Sequence, residues 1–341
     1  MDWMNLLGQL TAASSVSGSE ENIADTVLSL LSPYCDSAEQ RQGNVLGTLG
    51  ERQPGKPHVL LDAHMDEVGV IIKKITDDGM LKFGFVGGVD PRVVIGRPVR
   101  FGDVQGVIGI KAVHLTTAAE RRTMPKTKDL YIDIGAASKA AAEDKVSLGD
   151  YGVFDSAVVE FGDGLIKAKA IDDRVGCAAL LKLIEDEPPI DTWFCFTVQE
   201  EVGLRGAASM AYALDPGFAM VLEGTTAADL AEVEGGKAVC RIRGGVVLPF
   251  MDGATIYDAE LFELLRNACD KRGIRWQTKT RVAGGTDAGR IHKSRAGVRV
   301  CAAAAPVRYI HSPSSVAAVA DCEAVLSAAR AFLEELGGDD E

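Results

Sequence analysis

The sequence predicts an alternating α/β domain that is interrupted by an all-β insertion. Helical patterns and short apolar runs alternate in the first and last parts of the chain, as in an α/β sheet. Between about residues 68 and 169 the pattern changes, because short β-type runs there alternate with glycine-rich turns. The length of 341 residues also favours two domains over a single hydrophobic core.

The first predicted elements are a helix and a buried strand. Apolar residues recur at helical spacing over Ser17–Leu31, and the residues from Ser17 to Glu20 resemble a capping box at the start of this helix. The apolar run Pro57–Ala63 then predicts a strand. A first group of potential metal ligands follows this strand directly.

Six short strands and one helix are predicted for the insertion. The polar, basic segment Thr116–Lys128 has no periodicity, so we expect an exposed or poorly ordered loop there. The helix is predicted at Ser138–Lys145. The strands are predicted at Val68–Ile75, Leu81–Val86, Pro98–Phe101, Gly106–Val113, Leu130–Ile134 and Ala157–Phe161.

After the insertion the alternation of helices and strands returns. The first helix of this part ends before Pro188-Pro189, because proline cannot continue a helix. Residues 337–341 are glycine and acidic residues and are expected to form a flexible tail. In chain order we predict a helix at Val175–Ile184, a strand at Thr192–Val198, a helix at Ala207–Ala213, a strand at Ala219–Leu222, a helix at Ala259–Arg272, a glycine-rich loop at Gly284–Gly289 and a closing helix at Val316–Leu336.

Composition and charge exclude several functional classes. The formal net charge of -13 argues against sequence-independent nucleic-acid binding, which needs a basic surface. No apolar run is long enough to cross a bilayer, and the N-terminus has no basic region followed by an apolar stretch. Seven cysteines are scattered without CxxC spacing and are expected to be reduced. We therefore expect a cytoplasmic protein that binds neither nucleic acid nor membranes.

Three apolar runs end in groups of potential metal ligands. Each group has a common alternative explanation: a histidine satisfied by a nearby carboxylate, a helix cap beside a solvated aspartate, or a solvated acidic start of a helix. However, acidic pairs at the ends of buried strands would repel themselves unless a cation lies between the side chains, and a divalent metal ion is the simplest such cation. The groups are His64-x-Asp66, Asp172-Asp173 and Glu200-Glu201.

Two later residues, Glu223 and His311, complete the set of potential donors. In an open α/β sheet, ligands gather at the carboxyl ends of the strands, so a single crevice could collect these side chains. Two histidines and several carboxylates are the ligands that a two-metal site uses. The recurrence of these groups therefore predicts a two-metal site at this edge of the sheet.

Five motifs extend this pattern over nearly the whole chain. They are His64–Gly69, Ala170–Arg174, Gln199–Ala207, Gly284–Ala288 and Arg308–Pro313. The insertion contributes three more, which are Gly87–Arg92, Ile132–Ala136 and Gly149–Asp150. Together and in this order, these residues resemble the M42 family of metallo-aminopeptidases.

The resemblance implies a fold, an assembly and a cofactor. The fold would be a zinc-peptidase-like α/β/α catalytic domain built from residues 1–67 and 165–336, with a β-barrel-like insertion at 68–164 that is used for dimerisation. The assembly would be a homo-oligomer, either a dimer or a dodecamer built from dimers. The cofactors would be two divalent metal ions per subunit, zinc or cobalt, with manganese as a third candidate.

The same resemblance implies which residues bind the metal ions. His64, Asp172 and Glu223 would hold one ion. Asp172, Glu201 and His311 would hold the other, so that Asp172 bridges the two. Many members of the family have aspartate where this chain has Glu223. Glutamate is an acceptable oxygen ligand, and the alternative is that Glu223 only caps the turn that follows it.

Further acidic residues would serve the reaction without binding metal. A water that bridges two dications has a lowered pKa, and Glu200 would act as the general base that accepts its proton and passes it to the leaving nitrogen. Asp66 would orient His64. Asp173 is expected to stand behind the metal ligands, and Asp287 is expected near the site.

The predicted function is that of an aminopeptidase acting on short peptides, whose free amino terminus would be held by acidic groups beside the metals. A related two-metal amidohydrolase, such as a deacylase or a carboxypeptidase, would use the same metal chemistry with a different substrate terminus. A binding protein that keeps the metals without catalysis is the other alternative. Glu200 argues against it, because a scaffold has no need of an unligated carboxylate at the metal-bound water.

Overall fold

The computed structural model describes residues 2–50 and 58–338. The strands are β1 Ser37–Arg41, β2 Asn44–Leu49, β3 Val59–His64, β4 Gly69–Ile75, β5 Leu81–Val86, β6 Pro98–Phe101, β7 Val104–Ile110, β8 Leu130–Asp133, β9 Tyr151–Phe154, β10 Val159–Phe161, β11 Leu165–Ala168, β12 Thr192–Thr197, β13 Phe218–Thr226, β14 Val246–Val247, β15 Trp276–Gln277, β16 Arg299–Val307 and β17 Ser315–Ala318. The helices are α1 Trp3–Ala12, α2 Glu21–Leu31, α3 Pro91–Val94, α4 Lys139–Glu143, α5 Ile171–Glu185, α6 Arg205–Leu214, α7 Ala259–Arg272, α8 Ala288–Ile291 and α9 Val319–Gly337.

A mixed eight-stranded sheet forms the centre of the α/β domain. Its order is β1-β2-β12-β3-β13-β16-β14-β15, and the central strands β12, β3, β13 and β16 are parallel. Neighbouring residues of β3 point to opposite faces: Leu61 packs in a core with α1, α5 and α9, and Leu60 packs in another with α6 and α8. Helices therefore cover both faces of the sheet, which confirms the predicted α/β/α fold.

The insertion forms a closed six-stranded barrel with its own hydrophobic core. The strands follow the order β4-β5-β8-β7-β6-β9, and side chains such as Val70, Phe83, Ile132 and Phe154 fill the interior. The predicted β-barrel-like insertion is confirmed. Strand β10, which the sequence groups with the insertion, pairs with β11, and β11 pairs in turn with β17.

A buried ion cluster joins the two ends of the insertion. Glu67 precedes β4 and Lys169 follows β11, and Glu67 Oε1 lies 2.7 Å from Lys169 Nζ. The Arg174 guanidinium lies 3.6 Å from the same oxygen, and it donates to the main-chain oxygens of Leu10 (2.9 Å) and Met65 (2.8 Å). All three charged side chains are buried. The cluster therefore ties α1, the end of β3 and the start of α5 together.

Among the predicted element boundaries, the starts of the first predicted helix and of the closing helix are wrong. The residues Ser17 to Glu20 do not form a capping box: α2 begins at Glu21 without a side-chain cap, and the Ser17 hydroxyl donates to Asp66 instead. The closing helix begins at Val319, because Ser315–Ala318 forms strand β17.

Two other predicted segments lie only partly within the described residues. Pro57 of the first predicted strand and residues 339–341 of the predicted tail fall outside them, and Gly337 is the last residue of α9.

Thr116–Lys128 is mostly exposed and contains short 3-10 turns, in agreement with a surface loop. None of the helices within residues 2–50 and 58–338 is long and apolar enough to cross a membrane.

Candidate metal centre

The predicted ligands meet at the carboxyl edge of the parallel strands. His64 is the last residue of β3, Glu201 follows β12, and Glu223 lies in the second half of β13. Asp172 is at the start of α5, and His311 is in the loop between β16 and β17. Because parallel strands end at the same edge, five segments that are distant in sequence contribute to one crevice.

The donor atoms form two groups that share Asp172. His64 Nε2 lies 3.3 Å from Asp172 Oδ1 and 3.2 Å from Glu223 Oε1. His311 Nε2 lies 3.4 Å from Asp172 Oδ2 and 3.2 Å from Glu201 Oε2. Each oxygen of the Asp172 carboxylate therefore faces one histidine.

These separations fit a metal ion in each group. Ligand atoms about 2.1 Å from a tetrahedral zinc ion are roughly 3.4 Å apart. His64 Nδ1 lies 3.1 Å from the main-chain oxygen of Asp66, and His311 Nδ1 lies 3.1 Å from that of Gly88. A carbonyl oxygen beside Nδ1 holds the proton on that nitrogen and leaves Nε2 free to bind metal.

The buried carboxylates of the crevice also favour binding of a cation. Burial raises the pKa of Glu223 well above its usual range, and the Asp172 and Asp173 carboxylates raise it further. Burial likewise raises the pKa of Glu201 to about 7. Glu223 Oε2 is buried without a hydrogen-bond partner in the described part of the chain. A divalent ion beside these oxygens would remove the penalty that burial imposes on their charge.

Asp66 holds the loop that follows β12. Its carboxylate accepts hydrogen bonds from the backbone N–H of Glu200 (3.0 Å) and of Glu201 (3.2 Å) and from the Ser17 hydroxyl (2.6 Å). Burial alone would raise the pKa of Asp66, but hydrogen bonds from His64 and Ser17 outweigh it and lower the pKa. Asp66 Oδ1 is 3.5 Å from His64 Nδ1, so this carboxylate stays ionised behind the histidine.

Glu200 lines the same cavity as the predicted ligands. The cavity has a volume of about 460 Å³, and its wall includes Asp172, Glu201, Glu223 and His311. Burial raises the pKa of Glu200 well above its usual range, and nearby carboxylates add to this effect. A carboxyl group with raised proton affinity, placed on a cavity wall, is suited to accept and release protons.

Two aspartates lie behind the predicted ligands. Asp173, joined to Asp172 by a cis peptide bond, accepts a hydrogen bond from the backbone N–H of Gly176 (2.7 Å). Asp287 accepts one from the Thr197 hydroxyl (2.6 Å), and it is not among the residues that line the cavity. Sequence reasoning placed Asp287 near the site, and the structure places it under the end of β12.

Sequence reasoning assigned no role to Ser17 and Asp62. Ser17 donates to Asp66, and the only available signal was its place in an apparent capping box. Burial raises the pKa of Asp62 well above its usual range, and the Asp287 carboxylate raises it further. Its position in the apolar run before His64 was the available signal, because a charged aspartate rarely lies within a buried strand.

Glu20 makes folding stability depend on pH. Its buried carboxyl group accepts a hydrogen bond from the backbone N–H of Gly18 (2.8 Å). Burial raises its pKa from 4.5 to about 7, with the Asp66 carboxylate as an additional cause. Between these two values only the unfolded chain is ionised at this position, so ionisation favours unfolding and stability falls as pH rises.

Glu20→Gln is expected to remove this loss of stability. As pH rises from 4.5 to about 7, the stability of the variant relative to the wild type should increase by up to ~3 kcal/mol. Above this range the difference in free energy of unfolding should stay constant. Urea unfolding at a series of pH values measures it. The exposed neighbour Glu21, changed to glutamine, is the control. A difference that does not change with pH would contradict the argument.

Comparison with known proteins assigns this fold and its crevice to a family. The sequence model described as M42 glutamyl aminopeptidase matches residues 43–327. The chain belongs to the M42 peptidase family. Because the members of this family are metal-dependent aminopeptidases, this M42 peptidase is a hydrolase that acts on peptide bonds.

Relatives of this M42 peptidase match it over almost the full length. A lysyl aminopeptidase from Pyrococcus furiosus is 29% identical, and the alignment covers 98% of each chain. The structure of an aminopeptidase from the archaeon Desulfurococcus kamchatkensis has a TM-score of 0.92 at 33% identity and covers 99% of this chain and 98% of that chain. The TET1 peptidase of Pyrococcus horikoshii, which can assemble into a tetrahedron or a large octahedral shell, has a TM-score of 0.85 at 30% identity and covers 97% of this chain and 99% of that chain.

Proposed function

We propose that this protein is a two-metal aminopeptidase that removes the N-terminal residue from short peptides. One observation carries the proposal: the two oxygens of Asp172 face His64 Nε2 and His311 Nε2, at 3.3 and 3.4 Å. A carboxylate placed in this way is suited to bridge two ions. Membership of a family of aminopeptidases supports the same reaction.

The proposed ligands divide into the two groups described above. His64, Asp172 and Glu223 would hold one ion, and Asp172, Glu201 and His311 would hold the other. Nitrogen and carboxylate donors suit zinc, cobalt and manganese. When bound, the two ions would supply an electrophilic centre that polarises the peptide carbonyl group and makes water a stronger nucleophile at neutral pH.

Glu200 would perform the proton transfers. Its carboxylate would accept a proton from the attacking water and deliver it to the leaving amide nitrogen, which departs as an amine. Asp66 would keep Glu200 in place through the hydrogen bond to its backbone N–H. The acidic groups of the cavity would also attract the positively charged amino terminus of a peptide.

A substrate panel separates this proposal from a deacylase or a carboxypeptidase. We expect the purified protein with bound metal to hydrolyse aminoacyl-p-nitroanilides that have a free amino group, and to leave their N-acetylated counterparts uncleaved. A free amino terminus matters because the acidic cavity favours a cation at that end of the substrate. Release of nitroaniline measures the cleavage. Hydrolysis of blocked substrates only would exclude an aminopeptidase.

We also propose that the barrel forms the interface of a dimer and that these dimers can assemble further. In addition, we propose that the protein is cytoplasmic. Several large apolar side chains of the insertion are exposed, and such residues favour association. The TET1 peptidase of Pyrococcus horikoshii can assemble into a tetrahedron or a large octahedral shell. All seven cysteines are free thiols, which agrees with a reducing compartment. The exposed apolar residues are Val93, Val107, Val113, Leu115, Met124 and Leu148.

A further inference from the structure

A chain of three buried side chains ends in the wall of the substrate cavity. Thr286, in the loop between β15 and α8, is one of the residues that line this cavity. Its hydroxyl oxygen lies 3.1 Å from that of Tyr257, and the Tyr257 hydroxyl donates to Asp252 Oδ2 at 2.6 Å. All three side chains are at most 5% exposed. None of them is a proposed ligand or base, so the proposed chemistry leaves this chain without a role.

The Asp252 carboxylate sets the direction of the first hydrogen bond. Its Oδ1 accepts from the backbone N–H of Ala254 (2.7 Å) and of Thr255 (2.8 Å), which hold the carboxylate in one orientation. Its Oδ2 accepts from the Tyr257 hydroxyl. Burial raises the pKa of Tyr257 well above its usual range, and the Asp252 carboxylate raises it further. Tyr257 therefore keeps its single hydroxyl proton, and that proton points at Asp252.

The second hydrogen bond then has only one possible direction. A phenol has one O–H donor, and Asp252 already takes that of Tyr257. The Thr286 hydroxyl must donate to the Tyr257 oxygen, so its own proton points into the protein. Tyr257 is the only hydrogen-bond partner of this hydroxyl among residues 2–50 and 58–338. Thr286 Oγ1 is therefore an oriented acceptor whose remaining lone pairs are unused.

Backbone hydrogen bonds hold Thr286 in this position. The N–H of Gly253 donates to the oxygen of Gly284 at 2.8 Å, which joins the loop of the aspartate and tyrosine to the loop of the threonine. The N–H of Gly289 donates to the oxygen of Thr286 at 2.9 Å. A group that positions a substrate needs such support from the fold.

The other polar side chains of the cavity wall have different properties. The carboxylates suit a cation, either a metal ion or the amino terminus of a peptide. Thr225 and Thr226 also line the cavity, but no hydrogen bond within the described residues fixes their hydroxyl protons. A neutral, oriented acceptor suits a neutral donor, and the backbone N–H groups of a peptide are such donors. They lose water on entering the cavity, so a partner in the wall removes a penalty.

We propose that Thr286 Oγ1 accepts a hydrogen bond from a main-chain N–H of the bound peptide, and that Asp252 and Tyr257 are positioning residues that keep the threonine proton away from the substrate. This inference rests on the proposed aminopeptidase function. A peptide has two such N–H groups close to its amino end, one in the bond that is cleaved and one in the next bond. Substrates that lack one or the other distinguish these two sources.

The main test uses four substrates of equal size that begin with the residue X that the aminoacyl-p-nitroanilide panel identifies. X-glycine methylamide has both N–H groups, X-glycolate methyl ester has neither, and X-glycine methyl ester and X-glycolate methylamide each lack one. Thr286→Val should lower kcat/KM about 10-fold for the first substrate, at the upper end of the range for a neutral hydrogen bond, and less than about 3-fold for the second. Release of free X measures cleavage. Of the remaining two substrates, the one on which the loss disappears lacks the N–H that Thr286 binds.

Two further variants show whether the loss is specific. Thr286→Ser keeps the hydroxyl and should keep most of the wild-type activity. Thr192→Val is the matched control, because it removes a buried hydroxyl, bonded to the oxygen of Ile190 at 2.8 Å, at the other end of β12. Its kinetics should equal those of the wild type. Unchanged kinetics of Thr286→Val overturn the inference, and so does an equal loss on all four substrates, which would assign Thr286 to the amino terminus.

Asp252→Asn tests the direction of the chain without removing a hydroxyl. With Oδ1 still bound to backbone N–H groups, the asparagine N–H₂ would donate to the Tyr257 oxygen. Tyr257 would then donate to Thr286, whose proton would turn toward the cavity. We expect kcat/KM to fall about 10-fold for X-glycine methylamide and not to fall for X-glycolate methyl ester, whose oxygens accept that proton. Equal losses on both substrates would overturn the positioning role.

Tyr257→Phe tests the same link if the asparagine variant does not fold. Removing the phenol oxygen frees the Thr286 proton, so kcat/KM for X-glycine methylamide should fall about 3-fold. The double variant with Thr286→Val should lose no more than Thr286→Val alone, because the tyrosine acts through the threonine. Additive losses would contradict this link.

Binding measurements separate this inference from the proposed function. Calorimetry on the metal-loaded Glu200→Gln variant compares X-glycine methylamide with X-glycolate methyl ester, with alanine as X if the panel identifies no residue. The methylamide should bind more tightly, and adding Thr286→Val should remove the difference. Equal binding before that change would contradict an acceptor at Thr286. Absence of cleavage of all free-amino substrates by the wild type would instead contradict the proposed function.

Discussion

Glu200→Gln is expected to lower kcat by about 1,000-fold without loss of metal. Glutamine keeps the size of the side chain but cannot accept a proton, and general base catalysis contributes between about 100-fold and 10,000-fold to such reactions. Glu200 lies on the cavity wall outside both proposed ligand groups, so metal binding should not depend on it. Kinetics on an aminoacyl-p-nitroanilide measure kcat, and elemental analysis measures the metal content.

Two further variants make this result interpretable. Glu234→Gln changes an exposed glutamate and should leave kcat and the metal content unchanged. Asp172→Asn should lose metal as well as activity, because Asp172 belongs to both proposed ligand groups. Substantial activity in Glu200→Gln would place the base elsewhere. A loss of metal from this variant would show that Glu200 is a ligand.

Glu67→Gln is expected to destabilise the fold by ~3–5 kcal/mol, the range for removing one partner of a buried ion pair. Glu67 Oε1 and Oε2 lie 2.7 and 2.9 Å from Lys169 Nζ, and Arg174 lies beside the same carboxylate. Without Glu67, two buried cations would face each other with no carboxylate between them. The shift of the urea unfolding midpoint, with its slope, measures the loss.

A surface pair and a double variant provide the controls. Glu335→Gln breaks partly exposed pairs with Lys271 and Arg272 and should cost about 1 kcal/mol or less. Combining Glu67→Gln with Lys169→Met should recover part of the loss, because the second change removes one unpaired cation. Equal effects of Glu67→Gln and Glu335→Gln would mean that the buried cluster contributes little to stability.

Much of the fold is predictable because its signals are local. Five of the six barrel strands and the helix Ala259–Arg272 are visible as alternation and helical periodicity, whereas β9 is not predicted. The helix is observed with the predicted bounds. Strand β16 is missed because its run of alanines, Ala302–Ala305, has a high helix propensity. Pairing with β13 and packing of helices on both faces of the sheet outweigh that propensity, and neither is visible in a single sequence.

The candidate site shows the same division between local and long-range information. His64, Asp172 and Glu201 are recognisable because each lies at the end of an apolar run or close behind it. The contact of Ser17 with Asp66 joins residues 49 positions apart. Such contacts depend on tertiary structure, so the sequence identifies the proposed ligands but not the groups that position them.

The ion pair between Glu67 and Lys169 closes a segment whose ends are 102 residues apart. Because the entropy cost of closing a loop rises by only ~0.6 kcal/mol for each doubling of its length, the α/β domain tolerates large changes in what lies between these two residues. We therefore expect the proposed ligands to keep their places when the barrel is lengthened or trimmed. The carbonyl oxygen of Gly88, beside His311 Nδ1, marks a point where such a change would reach the proposed metal site.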